Sequence, residues 1–261
     1  MEETDPLFSL RGKTALVTGG TSGIGAMIAS GLAGRGVRTY VTGRELSRAQ
    51  DAAARLAEES GGEVVGLEAD FADPDAPAAL ARAFAEREDR LHLLVNNAGT
   101  NCGGELASLS EEDWDALMAV NLRAPVFLVK ALLPQLRMAA RPGDPARIIN
   151  IGSIGGLHVP GWEAHPYGAS KAAIHQVTRS LAKSFASDNI TVNAIAPGPF
   201  PSQMHDTESE ATQKSIAAYI PAGRAGAAED AQGAVIFLAS RAGAYVNAHV
   251  LPLDGGYIGA L

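Results

Sequence analysis

The hydrophobic positions of the chain fall into two alternating kinds of segment. Short β-branched and aliphatic runs predict buried strands, and the Ala-rich stretches between them repeat their apolar residues with a helical period. This alternation is typical of βαβ units that wind a parallel sheet. The chain is predicted to carry seven strands, at 14–17, 39–42, 63–68, 91–96, 147–151, 191–195 and 249–253.

Between the strands, two segments have more specific signals. Ser110-Glu-Glu-Asp113 resembles a capping box and predicts the start of a helix that carries Trp114 and Leu117. The stretch 197–223 contains four prolines and weak periodicity, which predicts an irregular substrate lobe over the sheet. At 261 residues, one α/β domain covering 1–261 is expected.

Charge and composition narrow the function classes. The chain has 21 Lys and Arg against 29 Asp and Glu, a net charge of −8, so no positive field is available for nucleic acid. Its only cysteine is Cys102, the first six residues lack the pattern of a secretory signal, and the apolar runs look too short to span a membrane. We therefore expect a soluble, cytoplasmic protein that binds neither nucleic acid nor membrane.

A glycine-rich turn directly follows the first predicted strand. Thr18-Gly-Gly-Thr-Ser-Gly-Ile-Gly25 precedes a helical pattern at 26–33, and this order aims backbone N–H groups and the helix dipole at a pyrophosphate. A flexible surface turn is the alternative. The cofactor-binding candidates in this turn are Gly19, Thr21, Ser22, Gly23, Ile24 and Gly25.

The end of the second strand bears on the choice of dinucleotide. Arg44 stands where an acidic residue would bond the adenosine ribose, and its charged fork suits a 2′-phosphate. This favours NADP(H) over NAD(H), although Glu45 could pair with Arg44 or face a ribose. A solvated loop arginine remains the alternative.

Two further candidates follow the third and fourth strands. Asp70 and Phe71 lie where an adenine could be met, and Asn96-Asn-Ala-Gly99 begins at the carboxyl end of a central strand, where open α/β sheets bind ligands. The amides of the second motif could tie neighbouring strands or contact a cofactor, and a plain Asn-Gly turn is the alternative. The candidates taken from this motif are Asn97, Ala98 and Gly99.

Tyr167-Gly-Ala-Ser-Lys171 opens a predicted helix and places a phenol and an ammonium on one face. We expect the charge of Lys171 to lower the pKa of the Tyr167 phenol, which would make it a general acid for carbonyl reduction and a base for the reverse reaction. Lys171 could also hold the cofactor ribose. An ordinary exposed pair is the alternative.

Two more polar residues complete the predicted site. Ser153 ends the fifth strand, where its hydroxyl could polarise a carbonyl oxygen. Asn121 lies among apolar residues of a helix and needs buried partners, for which a water linked to Lys171 or a bent helix are the two candidates.

Taken together, these motifs resemble the short-chain dehydrogenase/reductase family over essentially the whole chain. The resemblance implies a Rossmann fold, a doubly wound α/β sheet of seven parallel strands with helices on both faces, and a homotetramer. It also implies a nicotinamide-contacting segment with Pro197, Gly198 and Ser202, in which Ser202 replaces the family's usual Thr. The catalytic tetrad that it implies is Asn121, Ser153, Tyr167 and Lys171.

Within the family, the segments 145–153 and 195–204 resemble the 3-oxoacyl reductase branch and its NADPH-dependent ketoacyl reductases linked to rhamnolipid synthesis. We expect substrate choice to depend on 158–165 and 200–220, with Trp162, Met204 and Tyr219 in an apolar cleft; packing between subunits is the alternative for these three residues. A sugar or polyol dehydrogenase and a non-catalytic NADP(H)-binding regulator are the alternatives. No metal is expected, because the six histidines have no metal-ligand spacing.

Overall fold

The computed structural model describes residues 5–102, 104–159, 163–201 and 209–260, and its centre is one parallel sheet. The strands stand in the order β3-β2-β1-β4-β5-β6-β7, and every pairing between neighbours is parallel. Their bounds are β1 Thr14–Val17, β2 Arg38–Gly43, β3 Val64–Glu68, β4 Leu93–Asn96, β5 Ala146–Ile151, β6 Ile190–Pro197 and β7 Val250–Leu253.

Each predicted strand coincides with an observed one, so the α/β parallel-sheet prediction is confirmed. β1 matches its predicted bounds, while β6 runs two residues further, to Pro197. The central strands are buried along their whole length because helices cover both faces, which is why their sequences are continuous apolar runs.

Eight α-helices lie in the described part of the chain. Successive residues of a strand face opposite sides of the sheet, so Val17 packs into a core with α1 and α8, and Leu16 packs into a second core with α3 and α5. The helices are α1 Gly23–Ala33, α2 Leu46–Ser60, α3 Ala76–Ala85, α4 Glu111–Met118, α5 Ala124–Ala139, α6 His165–Phe185, α7 Glu210–Tyr219 and α8 Ala228–Ala239.

The segment 197–223, predicted to be irregular, contains a regular helix. α7 begins after Ser209, whose hydroxyl accepts a hydrogen bond from the N–H of Thr212 at 3.3 Å, and it buries Ile216. The weak periodicity of this segment hid a helix of ten residues. At α4 the predicted cap is confirmed, because the Ser110 hydroxyl accepts from the Asp113 N–H at 3.1 Å.

Helices α4 and α5 are continuous through a π-helical stretch, Ala119–Arg123. By length and composition alone, the 29-residue helical run Glu111–Ala139 is apolar enough to cross a membrane, contrary to our expectation from the short apolar runs. Its inner face, including Leu128 and Leu132, lies in the core between the sheet and α3. A core helix of a soluble protein passes the same length test, so this finding is weak support for a membrane span.

The strand order creates a crevice at the carboxyl edge of the sheet. β1 is followed in space by β2 on one side and by β4 on the other, so the connections after β1 and β4 leave in opposite directions. Open α/β sheets bind their ligands at such a reversal. The glycine turn and the Asn-Asn-Ala-Gly motif therefore meet at this point.

Candidate active site

The glycine turn after β1 is packed too tightly for side chains. Gly19 has a φ of +62°, and a Cβ there would lie 3.0 Å from the Cα of Ala98. A Cβ on Gly25 would overlap the carbonyl oxygen of Gly19 and the side-chain amide of Asn97. The two glycines thus allow the turns after β1 and β4 to touch, and they leave the mouth of the turn lined by backbone.

The first turn of α1 offers free donors at this mouth. Its first hydrogen bond runs from the N–H of Ala26 to the carbonyl of Ser22 at 3.2 Å, and the Ser22 side chain makes no cap. The N–H groups of Gly23, Ile24 and Gly25 therefore have no partner within the helix. Free N–H groups and the positive end of a helix dipole form a site for a phosphate anion.

Asn97 connects the two turns. Its amide Nδ2 donates to the carbonyls of Thr18 at 2.8 Å and Gly19 at 3.1 Å, while the Thr18 hydroxyl accepts from the N–H groups of Asn97 and Ala98, both at 2.9 Å. Of the two roles considered for this motif, the structure shows the tying of neighbouring strands. It places Asn97, Ala98 and Gly99 beside the glycine turn.

Arg44 follows β2 with an exposed side chain. Within the described residues its guanidinium has no hydrogen bond or ion pair, because Glu45 pairs with Arg48 instead, at 3.2 Å. A second guanidinium approaches the same region, since Arg55 donates to the carbonyl of Thr21 at 3.4 Å. Among the described residues, Arg44 is therefore a cation without an ionic partner at the place where a 2′-phosphate is expected.

Asp70 and Phe71 follow β3 and differ in character. The carboxylate of Asp70 is exposed and accepts a hydrogen bond from the N–H of Ala72 at 3.1 Å, and the ring of Phe71 is buried in the core. Asp70 is thus the only one of the two whose side chain could bond an adenine amino group, and Phe71 would contribute through its backbone.

The Ser153 side chain is a hydrogen-bond partner of the Tyr167 phenol and lowers its pKa. Tyr167 lies in the first turn of α6, and Ser153 follows β5 in extended backbone, with its hydroxyl also accepting from the N–H of Gly155 at 3.0 Å. The phenol and the hydroxyl therefore face one point at the carboxyl edge of the sheet, as the sequence predicts.

Lys171 lies one helical turn beyond Tyr167 and is buried. Its Nζ donates to the carbonyl of Ile151 at 3.0 Å and lies 5.6 Å from the centre of the Tyr167 ring. A Cβ on Gly99 would lie 3.6 Å from the same Nζ and 3.4 Å from the Oδ1 of Asn121. The lysine, the asparagine and the turn after β4 thus converge.

The charges at the site differ from our expectation for Tyr167. Burial raises the pKa of the Tyr167 phenol, and the hydrogen bond with Ser153 only partly offsets this effect. The ammonium of Lys171 lies over the ring face, 5.6 Å from its centre, and burial lowers the pKa of Lys171 to about 8. Both groups are governed by desolvation, which disfavours whichever form carries charge.

Asn121 lies in the π-helical stretch, and its side chain bonds outside its own helix. Its Oδ1 accepts from the N–H of Thr100 at 2.8 Å, and its Nδ2 donates to the Thr100 carbonyl at 2.9 Å and to the hydroxyl of Ser170 at 3.1 Å. A π-bulge of this kind often marks a functional position. Asn121 therefore holds the loop after β4 against α6, which carries Tyr167 and Lys171.

A comparison with protein families extends this geometry to nearly the whole chain. A family model described as enoyl-(acyl carrier protein) reductase matches residues 19–258. The chain belongs to the short-chain dehydrogenase/reductase family. The resemblance stated from the motifs is thereby confirmed.

Individual members of the short-chain dehydrogenase/reductase family show the same likeness. The rhamnolipids biosynthesis 3-oxoacyl-(acyl-carrier-protein) reductase of Pseudomonas aeruginosa is 42% identical over 97% of this chain and 98% of its own. A solved complex of Pseudomonas aeruginosa RhlG with NADP has a TM-score of 0.92 and 42% identity, covering 97% of this chain and 99% of the other. The 2-dehydro-3-deoxy-D-gluconate 5-dehydrogenase of Bacillus subtilis is 38% identical, over 96% of each chain.

The predicted nicotinamide-contacting segment of this short-chain dehydrogenase/reductase begins at the end of β6. Pro197 is the last residue of β6, and the N–H of Gly198 donates to the Leu253 carbonyl at 2.9 Å, which places both at the carboxyl edge. Three predicted residues lie outside the described part of the chain: Trp162, Ser202 and Met204.

Three polar residues of the site escaped the sequence analysis. Thr18 and Ser170 stand inside the glycine turn and the Tyr-xxx-Lys motif, so a search for buried hydroxyls within those motifs could have found them. Thr42, whose Oγ1 accepts from the Gly19 N–H at 3.1 Å, carries no signal beyond its position in β2. Among the described residues, no group of three or more His, Cys, Asp or Glu is placed to hold a metal.

Proposed function

We propose that this protein reduces a ketone, of the 3-oxoacyl thioester class, to a secondary alcohol with NADPH. The observation that carries the proposal is the hydrogen-bonded pair of Tyr167 and Ser153, with the buried ammonium of Lys171 beside the phenol ring. The pair lies at the same sheet edge as the glycine turn. Two relatives named as 3-oxoacyl reductases, at 42% and 35% identity, support the substrate class.

The residues present fit a dinucleotide. The close packing at Gly19 and Gly25 leaves a backbone cradle that side chains would fill, and the first N–H groups of α1 are free to bind its pyrophosphate. The unpaired Arg44 fits a 2′-phosphate, which favours NADP(H). The solved RhlG complex with NADP has the same fold, which supports this choice.

Further residues of the cofactor site are proposed by position. Asp70 and Phe71 would meet the adenine, and Asn97, Ala98 and Gly99 the adjoining ribose. Pro197, Gly198 and Ser202 would contact the nicotinamide. For the described residues these roles rest on their placement at one edge of the sheet and on the family resemblance, and for Ser202 on the resemblance alone.

Each residue of the tetrad has a distinct role in the proposed reaction. When bound, NADPH supplies the hydride that adds to the carbonyl carbon. The Tyr167 hydroxyl donates its proton to the carbonyl oxygen, and the Ser153 hydroxyl stabilises the charge that develops there. Lys171 would hold the cofactor ribose with its ammonium, and Asn121 fixes the loop after β4 beside it.

The raised pKa of Tyr167 agrees with the direction of this reaction. Since burial disfavours the phenolate, the phenol keeps its proton at neutral pH. Reduction consumes that proton, so the resting state of the site is the form that reduction requires. Oxidation of an alcohol would need the phenolate, and hence a higher pH or a further positive charge near the oxygen.

A sugar or polyol dehydrogenase is the second candidate, because the Bacillus subtilis relative bears such a name. One border of the site favours an acyl substrate instead: Leu157 and Val159, which follow the Ser153 turn, are 40% and 83% exposed. Apolar side chains at this border suit a hydrocarbon chain better than a polyhydroxylated one.

A substrate panel tests these alternatives. The purified protein is assayed for NADPH and NADH consumption with 3-oxoacyl thioesters and cyclic ketones, and for NADP⁺ reduction with polyols. We expect the highest kcat/KM with NADPH and a 3-oxoacyl thioester. A higher kcat/KM with a polyol would replace the proposal by the second candidate, and cofactor binding without turnover of any substrate would indicate the non-catalytic regulator.

We further propose a single-domain, cytoplasmic homotetramer that binds neither membrane nor nucleic acid. The outer face of α5 carries Phe127 and Met138, which are 49% and 53% exposed, and apolar patches of this kind suit contacts between subunits. Light scattering on the purified protein should give four times the 26.9 kDa chain mass. A monomer, or recovery only with membranes, would contradict this assembly.

A further inference from the structure

His175 is a buried ionisable residue that the proposed reaction does not use. It lies one helical turn beyond Lys171 on α6 and is 2% exposed. Within the described residues neither ring nitrogen forms a hydrogen bond of good geometry, and the Gly156 backbone is the one polar group there that raises the pKa of the ring. A buried imidazole with so few polar contacts is unfavourable, so its presence at this position calls for another role.

The ring of His175 packs directly on the strand end that leads to Ser153. A Cβ on Gly152 would overlap the Nε2 of His175 and would lie 2.7 Å from its Cδ2. The absence of a side chain at Gly152 therefore allows the ring to contact the backbone next to Ser153. The N–H of Gly152 meanwhile donates to the Ile195 carbonyl at 2.7 Å, which holds this point of the chain to β6.

The same turn touches α6 at two further points. A Cβ on Gly156 would lie 2.5 Å from the carbonyl carbon of Lys171, and a Cβ on Gly168 would lie 3.2 Å from the carbonyl oxygen of Gly155. The turn 152–156 is thus pressed against the helix on both sides of Ser153. Of these contacts, only the one at Gly152 is made through a side chain of α6.

The ring is uncharged in this position. Burial, the nearby charge of Lys171 and, more weakly, Arg179 lower the pKa of His175 to about 4, against a small opposing effect of the Gly156 backbone. At neutral pH the ring is therefore uncharged. It acts on the turn by its shape and contact and adds no second charge beside Lys171.

We infer that His175 is a positioning residue for the reaction proposed above. Its ring packs against Gly152 and thereby holds the Ser153 hydroxyl in position to bond Tyr167. The catalytic role of His175 rests on the proposed function. Its structural role, which is to position Ser153 for the hydrogen bond with Tyr167, does not depend on the substrate.

The first test measures that bond without any substrate. Tyr167 is titrated by its phenolate absorbance, as the difference between each protein and its Tyr167→Phe counterpart. Because the bond with Ser153 lowers the pKa of Tyr167, both Ser153→Ala and His175→Ala should raise this pKa, and the double variant should raise it no further. An unchanged pKa of Tyr167 in His175→Ala would overturn the inference.

A matched control separates positioning from general damage to α6. Ile174 is the neighbouring residue, is also 2% exposed, and can be cut to Ala with a similar loss of buried volume. We expect Ile174→Ala to lower the Tm while leaving the pKa of Tyr167 unchanged. An equal rise in Ile174→Ala would show that any loosening of α6 raises the pKa of Tyr167, and the specific role inferred for His175 would be refuted.

The second test uses catalysis and the contact with Gly152. With any ketone that the wild type reduces, His175→Ala should lower kcat about tenfold, since a misplaced donor loses transition-state stabilisation, while the KM for NADPH stays within about twofold. Gly152→Ala should lower kcat further because its Cβ overlaps the ring, and adding His175→Ala should recover part of that loss. Strictly additive effects in this double variant would contradict the contact.

The two tests fail separately. If the wild type reduces no ketone, the proposed function is wrong, but the titration of Tyr167 still decides whether His175 sets its bond with Ser153. If ketones are reduced and the titration and the double variant show no coupling, the function stands and the positioning role falls.

Discussion

The two edges of the sheet both bury positive charge, but they treat it differently. At the amino edge, Lys13 before β1 and Arg147 in β5 share the carboxylate of Asp144, at 2.7 and 2.8 Å, and Arg147 also donates to the Ser240 carbonyl at 2.8 Å. At the carboxyl edge, Lys171 has no carboxylate partner within the described residues and donates to one backbone carbonyl.

This difference has direct consequences for the ionisable groups. Burial pushes the pKa of Asp144 up, but the hydrogen bonds and charges of Lys13 and Arg147 outweigh it and lower the pKa overall. Burial lowers the pKa of Lys171 to about 8 with nothing to oppose it. A paired cation is a structural group, whereas an unpaired one keeps donors available for a ligand.

The largest effect that tests this contrast is expected at Tyr167. Tyr167→Phe should lower kcat about a thousandfold, because it removes the proton donor, while the Tm changes little. Steady-state kinetics and thermal unfolding check this, with the fully exposed Tyr245→Phe as the control. A rate close to that of the wild type would show that another group donates the proton.

The amino edge should respond in stability instead. Asp144→Ala leaves the charges of Lys13 and Arg147 without their partner, and we expect a loss of about 2 kcal/mol in the free energy of unfolding. The loss is smaller than for a fully buried ion pair because Asp144 is itself partly exposed. Urea unfolding measures it.

The exposed pair of Arg137 and Asp188 offers the matched control for this loss, and Asp188→Ala should cost less than about 1 kcal/mol. Equal losses in the free energy of unfolding for the two variants would contradict the stabilising role of Asp144. A lowered kcat per folded molecule in Asp144→Ala would contradict the view that the amino edge serves stability alone.

A smaller effect is expected for cofactor choice at the carboxyl end of β2. Arg44→Glu should reduce kcat/KM for NADPH about thirtyfold and leave that for NADH nearly unchanged, because it replaces a phosphate-binding cation by a repelling carboxylate. Arg35→Glu, an exposed arginine following α1, is the control for net charge. An unchanged ratio of NADPH to NADH would remove Arg44 from the cofactor site.

The smallest effect is a pH dependence set by Lys171. The charged ammonium is the low-pH form, so kcat/KM for reduction should be level below about pH 7, fall to about half at pH 8 and continue to fall as the pH rises further. The pH dependence of kcat/KM reports the pKa of Lys171 in the free enzyme, whereas that of kcat reports its pKa in the bound complex. Since the anionic cofactor favours the charged ammonium, kcat should stay constant to a higher pH than kcat/KM. A level kcat/KM up to pH 10 would indicate that Lys171 is paired in solution.

Most of the fold could be predicted because its signals are local. A buried parallel strand such as β5 is a continuous run of apolar residues, and the turn at Gly19 needs glycine for reasons of backbone geometry. α7 was missed since its pattern is weak, and the partners of Asn121 could not be predicted because Thr100 and Ser170 are distant in the chain.

The sequence by itself determined the seven strands, the order of the motifs and the pairing of Tyr167 with Lys171 on one helix face. Only the tertiary structure decided the sign of the pKa shift at Tyr167, the partners of Asn121 and the contact of His175 with Gly152. The physical reason is that spacing along a helix is a local property, whereas desolvation and close packing depend on every element that surrounds a group.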